Sequence, residues 1–358
     1  MTEPLYAYDI PSLQPGDILL STTSEKPSGW IRAATGSAYS HAMLYTYNTI
    51  VHADGDGVFS TNPQRRLFLE SQSIVLRLRS PHNVDLNAVC AFAFDRAGSL
   101  YTVPEAMLAA FIGASGTNAL SPNQFCSRLV AQAFEAGGVS LVRNADFCVP
   151  GQFTGSDLLQ HVPKAVRLAT PAEIKLNETR DTIKIHQQHT FVWLGKVRTL
   201  ASSRCVEVAS ISDALDFVLR HPDTDPQVAG FIKQSGYLDD CELDCEANPH
   251  RYSVEGMEAV LTLHPSEVRH ILSNELQIND DVARNALVQM QQMSASPLST
   301  FRLLTDMHRR RLEQILERVT IVRMAAERHS VRDIISRAEV QQQALAGCIL
   351  LGRKHAQP

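Results

Sequence analysis

Apolar and polar positions follow two rhythms along this chain, with the change near residue 170. Before it, short β-branched and leucine-rich runs are cut by turn residues, the pattern of strands. Leu13-Gln14-Pro15-Gly16-Asp17 reads as a turn and residues 18–22 as a buried strand. A polar loop, 35–40, delivers His41 onto a strand over 41–47, and Asn48-Thr49 turns it into a second strand over 50–53. Asp54-Gly55-Asp56-Gly57 turns again towards 58–59, and 73–79 is a further strand. Helices are expected over 27–34, carrying Trp30, and over 83–97 and 104–112. Residues 144–154 read as irregular, 155–161 as one or two helical turns, and 165–168 as a strand closing a sheet.

One helix stands out within this half. Phe125, Leu129, Val130, Ala133 and Phe134 recur at intervals of three and four, so one side packs inward. Gly137-Gly138 supplies a stop, and Ser121-Pro122-Asn123 offers more than one cap residue upstream. Cys126 then falls in the first turn, where unpaired N–H groups and the positive helix end favour thiolate over thiol. A cysteine there serves as a nucleophile or as a small buried residue, and the stretch alone leaves both open.

Beyond residue 181 the period is helical: 211–219, 226–234, 254–263, 266–276, 280–293, 299–327 and 331–349 each carry an apolar face. The expectation is therefore an α+β chain with two domains, 1–170 and 171–358, the second mainly helical. No repeat or low-complexity tract marks the second, and its role is not written in its sequence.

Composition narrows the function classes. The chain has 358 residues, 44% of them hydrophobic and 20% charged, with a formal net charge of −5. No basic run exceeds Arg309-Arg310-Arg311, so nothing points to nucleic acid or an anionic membrane, and the triplet reads as a solvated helix face. Seven cysteines spread thinly imply a reducing compartment rather than a disulfide framework. The N-terminus lacks a basic segment followed by an apolar run, and no apolar stretch approaches membrane-spanning length. A cytoplasmic location is the default, and export by a specialised route without a cleavable signal is equally compatible.

The candidate chemistry begins with Cys126, which as a nucleophile needs a base and a group that orients the base. His41 and His52 lie on adjacent expected strands, where same-face side chains approach within about 5 Å. That places His41 as base and His52 as its partner, although either histidine alone suits a structural role. Oxyanion donors beside the Cys126 N–H are sought among Tyr39, Gln124 and Asn123, residues that also serve as caps and loop anchors. Trp30 and Tyr39 are candidates for a substrate rim, with core packing as the alternative for the tryptophan. Cys148 is a rival nucleophile without a helix start behind it. A zinc site from His41, His52 and Cys126 lacks the tight ligand spacing of such centres, and Cys241 with Cys245 lacks identifiable partners. Asp54 and Asp56 read as turn formers, too few in oxygen ligands for calcium. No metal and no cofactor is implied.

Four segments together carry a resemblance: Pro15-Gly16-Asp17-Ile18-Leu19-Leu20, Ala34-Thr35-Gly36-Ser37-Ala38-Tyr39-Ser40-His41, Val51-His52-Ala53-Asp54-Gly55-Asp56-Gly57-Val58 and Phe125-Cys126-Ser127-Arg128-Leu129-Val130. In this order they resemble the circularly permuted papain-like hydrolases, the YiiX-like and YebB-like branch of the NlpC-type cysteine hydrolases, related to the lecithin:retinol acyltransferases. The likeness covers roughly residues 10–168. It implies Cys126 as nucleophile, His41 as base and His52 at the third, polar position. YiiX-like members often carry glutamate there, whereas acyltransferase-like relatives carry histidine, so the branch that supplies the substrate analogy is blurred. The resemblance implies cleavage of an amide, favouring a cell-wall peptide, through an acyl-enzyme. Lipid acyl hydrolysis or transfer and a catalytically inactive binding module are the alternatives. The helical half is then left to position substrate or to meet a protein partner.

Overall fold

The computed structural model describes residues 3–22, 38–80, 83–102 and 123–355. The expected helices at 27–34 and 104–112, Trp30, the loop residues 34–37 and the cap candidates Ser121 and Pro122 lie outside the described residues. The chain is α+β. In order, its strands and α-helices are β1 (Leu5–Tyr8), β2 (Ile18–Ser21), β3 (His41–Thr46), β4 (Thr49–Asp54), β5 (Gly57–Thr61), β6 (Phe68–Leu69), β7 (Ser73–Leu78), α1 (Leu86–Asp95), α2 (Cys126–Ala136), α3 (Pro150–Thr154), β8 (Leu159–His161) and β9 (Val166–Leu168). Then follow α4 (Pro171–Asn177), α5 (Thr182–Ser202), α6 (Ile211–Arg220), α7 (Asp225–Gln234), α8 (Cys241–Ala247), α9 (Val254–Leu263), α10 (Val268–Ser294), α11 (Ser299–Arg328) and α12 (Arg332–His355).

Packing divides the chain into two compact units, Met1–Gln187 with Val197–Phe217, and Gln188–Lys196 with Val218–Pro358. The division falls later than residue 170 for a visible reason. Arg65 donates to the carbonyls of Leu176, Thr179 and Arg180, and Arg198 to those of Gly98, Val208 and Ala209.

In the first unit, six antiparallel strands run in the order β5-β4-β3-β2-β7-β8, and a second sheet has the order β6-β1-β9. Strand alternation gives the six-stranded sheet two faces. One face, with Leu20, Ala42, Leu44, Val51 and Ala53, packs against Leu129, Val130, Ala133 and Phe134 of α2. The other, with Leu19, Met43, Tyr45 and Ile50, packs against Tyr8 and Phe68.

Several elements depart from the sequence expectation. Residues 159–161 form a strand rather than helical turns, because Leu159 pairs with Leu78 at the sheet edge and buries its side chain there. Residues 150–154, read as irregular, make the short helix α3. The Cys126 helix is capped by Phe125 with no side-chain bond, not by Asn123, whose carbonyl accepts from Arg128 Nη1 instead. At the other end the left-handed residue is Gly138, at φ +91°, while a Cβ on Gly137 would stand 2.5 Å from Val89.

In the second unit, α10, α11 and α12 share one apolar core. The two helices expected over 266–276 and 280–293 are a single helix, since no glycine or proline interrupts it and Asn279 is buried at the junction. The helix α5 escaped the pattern reading altogether; its Trp193 is fully buried.

Asp225 accepts from the N–H groups of Ser299 and Thr300 at 2.7 and 2.8 Å, capping the thirty-residue α11. Burial raises its pKa, but those N–H groups and the hydroxyls beside them outweigh it and hold the carboxyl below its ordinary value. A carboxyl depressed in the folded state stabilises above its unfolded pKa and loses that contribution as pH falls through its folded one. Asp225→Ala is expected to cost about 1 kcal/mol at neutral pH, and the gap from wild type should close on acidification, read by urea unfolding at several pH values.

Candidate active site

The hairpin of β3 and β4 brings the two histidines together. Its ladder pairs Leu44 with Val51, Tyr45 with Ile50 and Thr46 with Thr49. Carried one step further, that register sets His52 across from Met43, so His41 is its diagonal neighbour on the same face. His41 Nε2 lies 3.0 Å from His52 Nδ1, and the rings meet edge to face. His52 is fully buried, with Phe59 of β5 at 4.6 Å between ring centres. The guanidinium of Arg66, from the loop before β6, meets the remaining nitrogen of His52, Nε2.

Cys126 is the first residue of α2, within the first turn where the sequence places it. That helix packs on the sheet face opposite the histidine side chains, yet its first turn reaches the sheet itself. The sulfur lies 4.0 Å from the carbonyl oxygen of Ser40 and is met by the N–H of Ala42. Those are the backbone groups on either side of His41. The β3–β4 ladder ends at Leu44, two residues after the Ala42 N–H that meets Sγ. No hydrogen bond joins Sγ to either imidazole.

The electrostatics are those of a closed site. Burial pushes the Cys126 thiol up, against the N–H groups of Ala42, Ser127 and Cys126 itself and the Ser127 hydroxyl. The helix start alone had suggested a thiolate; at 3% exposure the loss of hydration wins. Burial, then the Arg66 charge, push His41 down to about 3, and the same two causes with His41 added hold His52 well below the ordinary histidine value. Both shifts favour the neutral rings at neutral pH.

The first turn of α2 is held by residues that its apolar pattern does not mark. Arg128, 1% exposed, donates to Asp146 O and Asn123 O and lies over the Phe125 ring at 4.5 Å. Ser127 donates to Cys148 O. Cys148 is itself buried and bonded to Ala145 O, and burial raises its thiol further than that of Cys90, which reaches about 11.

The other candidates are placed as follows. Tyr39 is partly buried against the core. Gln124 is buried and directs its amide nitrogen to Gln132 at 3.2 Å, leaving its amide oxygen buried and unbonded. Asp54 accepts from Asp56 N, which makes this a turn. Among the described residues no group of three or more His, Cys, Asp and Glu is arranged to hold a metal ion, and no helix is long and apolar enough to cross a membrane. Arg66 carried no signal in the sequence, where it is half of an Arg65-Arg66 pair in a polar turn. No protein-family model matches the chain, and no curated protein matches it.

Proposed function

We propose that the first unit is a permuted papain-like cysteine hydrolase in which Cys126 attacks an acyl carbonyl and His41 handles the proton. The observation that supports this best is the 3.0 Å His41–His52 pair beside a helix-initiating cysteine whose sulfur touches the backbone flanking His41. Since Nε2 of His41 is bonded to His52, Nδ1 is the nitrogen left for the sulfur. His41 takes the thiol proton, the thiolate adds to the carbonyl, and the N–H groups of the α2 start receive the oxyanion. The imidazolium then protonates the leaving group, and water resolves the acyl-enzyme.

The substrate favoured is a cell-wall peptide amide, by resemblance. The paired histidines equally fit the acyltransferase-like relatives, which makes a lipid ester or thioester the second reading. Purified protein and its Cys126→Ala variant, each incubated with muropeptides and with phospholipid vesicles, separate the two. One substrate should be consumed, by wild type alone, with an acyl adduct on the peptide containing Cys126 in the mass spectrum. Equal turnover by both proteins, or none with either substrate, would count against this function.

A further inference from the structure

Proton positions at the His41–His52 pair carry the argument further, and the step rests on the acyl-enzyme reading above. A guanidinium has donors and no acceptor, so His52 Nε2, facing Arg66, must present its lone pair. The neutral His52 ring therefore holds its one proton on Nδ1. That nitrogen faces His41 Nε2, which becomes the acceptor across 3.0 Å. The neutral His41 ring is left with its own proton on Nδ1. Both nitrogens are then engaged or protonated, and the ring has no lone pair to take a thiol proton.

We propose that Arg66 is a positioning residue that fixes which nitrogen of each histidine carries the proton, and that it must leave His52 Nε2 before His41 can act as base. The place of Arg66 is set by its neighbour. Arg65 bonds Leu176 O and Thr179 O at 2.8 and 3.0 Å, pinning the loop that presents Arg66. The charge bearing on the pair is that of Arg66 from that loop, which also acts on Tyr8 of β1, whose hydroxyl is bonded to Ser73. Tyr101 and Asp54 bear on the sulfur side, through the interaction of Tyr101 with both Cys126 and Asp54.

When Arg66 withdraws, each ring exchanges its Nδ1 proton for one on Nε2 through solvent, with no net gain or loss. His41 Nε2–H then donates to the bare His52 Nδ1. The bare Nδ1 of His41 takes the Cys126 proton, leaving thiolate and imidazolium. With Arg66 in place the sulfur stays a thiol, in keeping with its missing bond to His41.

The test is nitrogen NMR of the full chain with labelled histidine, for wild type, Arg66→Glu and Arg66→Lys, alongside the pH profile of Cys126 alkylation by iodoacetamide. Wild type should show protonated Nδ1 and bare Nε2 in both rings. Lysine, another donor-only cation, should keep that order. An ionised glutamate only accepts, so both rings should reverse, and alkylation at neutral pH should rise about tenfold, the effect of one pKa unit. A bare Nδ1 on His41 in wild type, which needs no variant to be seen, overturns the proposal. So does an Arg66→Glu protein with unchanged tautomers and alkylation. Reversal of both rings with faster alkylation, but no turnover of any acyl substrate, upholds the proton order and removes only the hydrolase.

Discussion

Cys126→Ala should remove turnover of the acyl substrate almost entirely, by on the order of 10⁶-fold in kcat, the scale seen when a triad nucleophile is deleted. His41→Ala should fall to a similar level, because a base without its nucleophile, or the reverse, leaves only the binding contribution. The double variant should be no worse than either single one. That non-additivity is the informative part, since two residues acting separately would multiply their losses. His52→Ala should lose less, because in the proposed mechanism it orients His41 and forms no bond to substrate. Cys148→Ala serves as the control. Its thiol is buried and raised by that burial, and its sulfur is bonded to Ala145 O, so turnover should stay near wild type. Single-turnover kinetics on the substrate identified for wild type reads all five. A Cys148→Ala variant as dead as Cys126→Ala would move the nucleophile and dissolve the proposed site.

How much of this was legible beforehand depends on the range of the interaction that fixes each element. The β3–β4 hairpin and the Cys126 helix are set by local spacing, and both stand within a residue or two of expectation. The strand β8 is set by pairing with Leu78, some eighty residues earlier, and its own residues look no more like strand than like a helical turn. The helix α5 mixes polar and apolar residues without a clean stripe, so only tertiary packing around Trp193 reveals its inward side. At the site the same division holds. The histidine pairing follows from strand alternation. The thiol's upward shift does not follow from a helix start, because burial is a property of everything packed above it. Arg66 was invisible for the same reason: its meeting with His52 is made by a loop whose course Arg65 fixes through carbonyls more than a hundred residues away.

The Pro15-Gly16-Asp17 turn carries the largest stability effect expected. Gly16 sits at φ +90°, a backbone conformation that strains any side chain, and a Cβ there would stand 2.7 Å from the tip of Leu86, which would have to shift. The next residue, Asp17, has a fully buried side chain, accepting from Arg77 Nε at 2.6 Å, Arg77 Nη2 at 2.7 Å and Gln14 N at 2.8 Å. Arg77 also holds Ser12 O, so one pair ties the entry of β2 to β7. Removing one partner of a buried pair typically costs about 3–5 kcal/mol, because the other charge is left stranded. The two partners are not equivalent. Arg77 is about a quarter exposed and recovers some hydration when Asp17→Ala removes its partner, which places that variant near the lower end of the range. Arg77→Leu strands a carboxylate that has no access to water and one backbone donor left, so it should be the costlier change. It should also regain stability on mild acidification, since a stranded carboxyl titrates upward and can protonate. The double change Asp17→Leu with Arg77→Leu should be milder than either single one, the buried charges having gone together. Hydrogen exchange of the β2 and β3 amides under urea reads the first unit by itself. Arg77→Leu proving no costlier than Asp17→Ala, with no recovery at lower pH, would mean that solvent reaches the Asp17 carboxylate and that the turn is held by Gly16 alone.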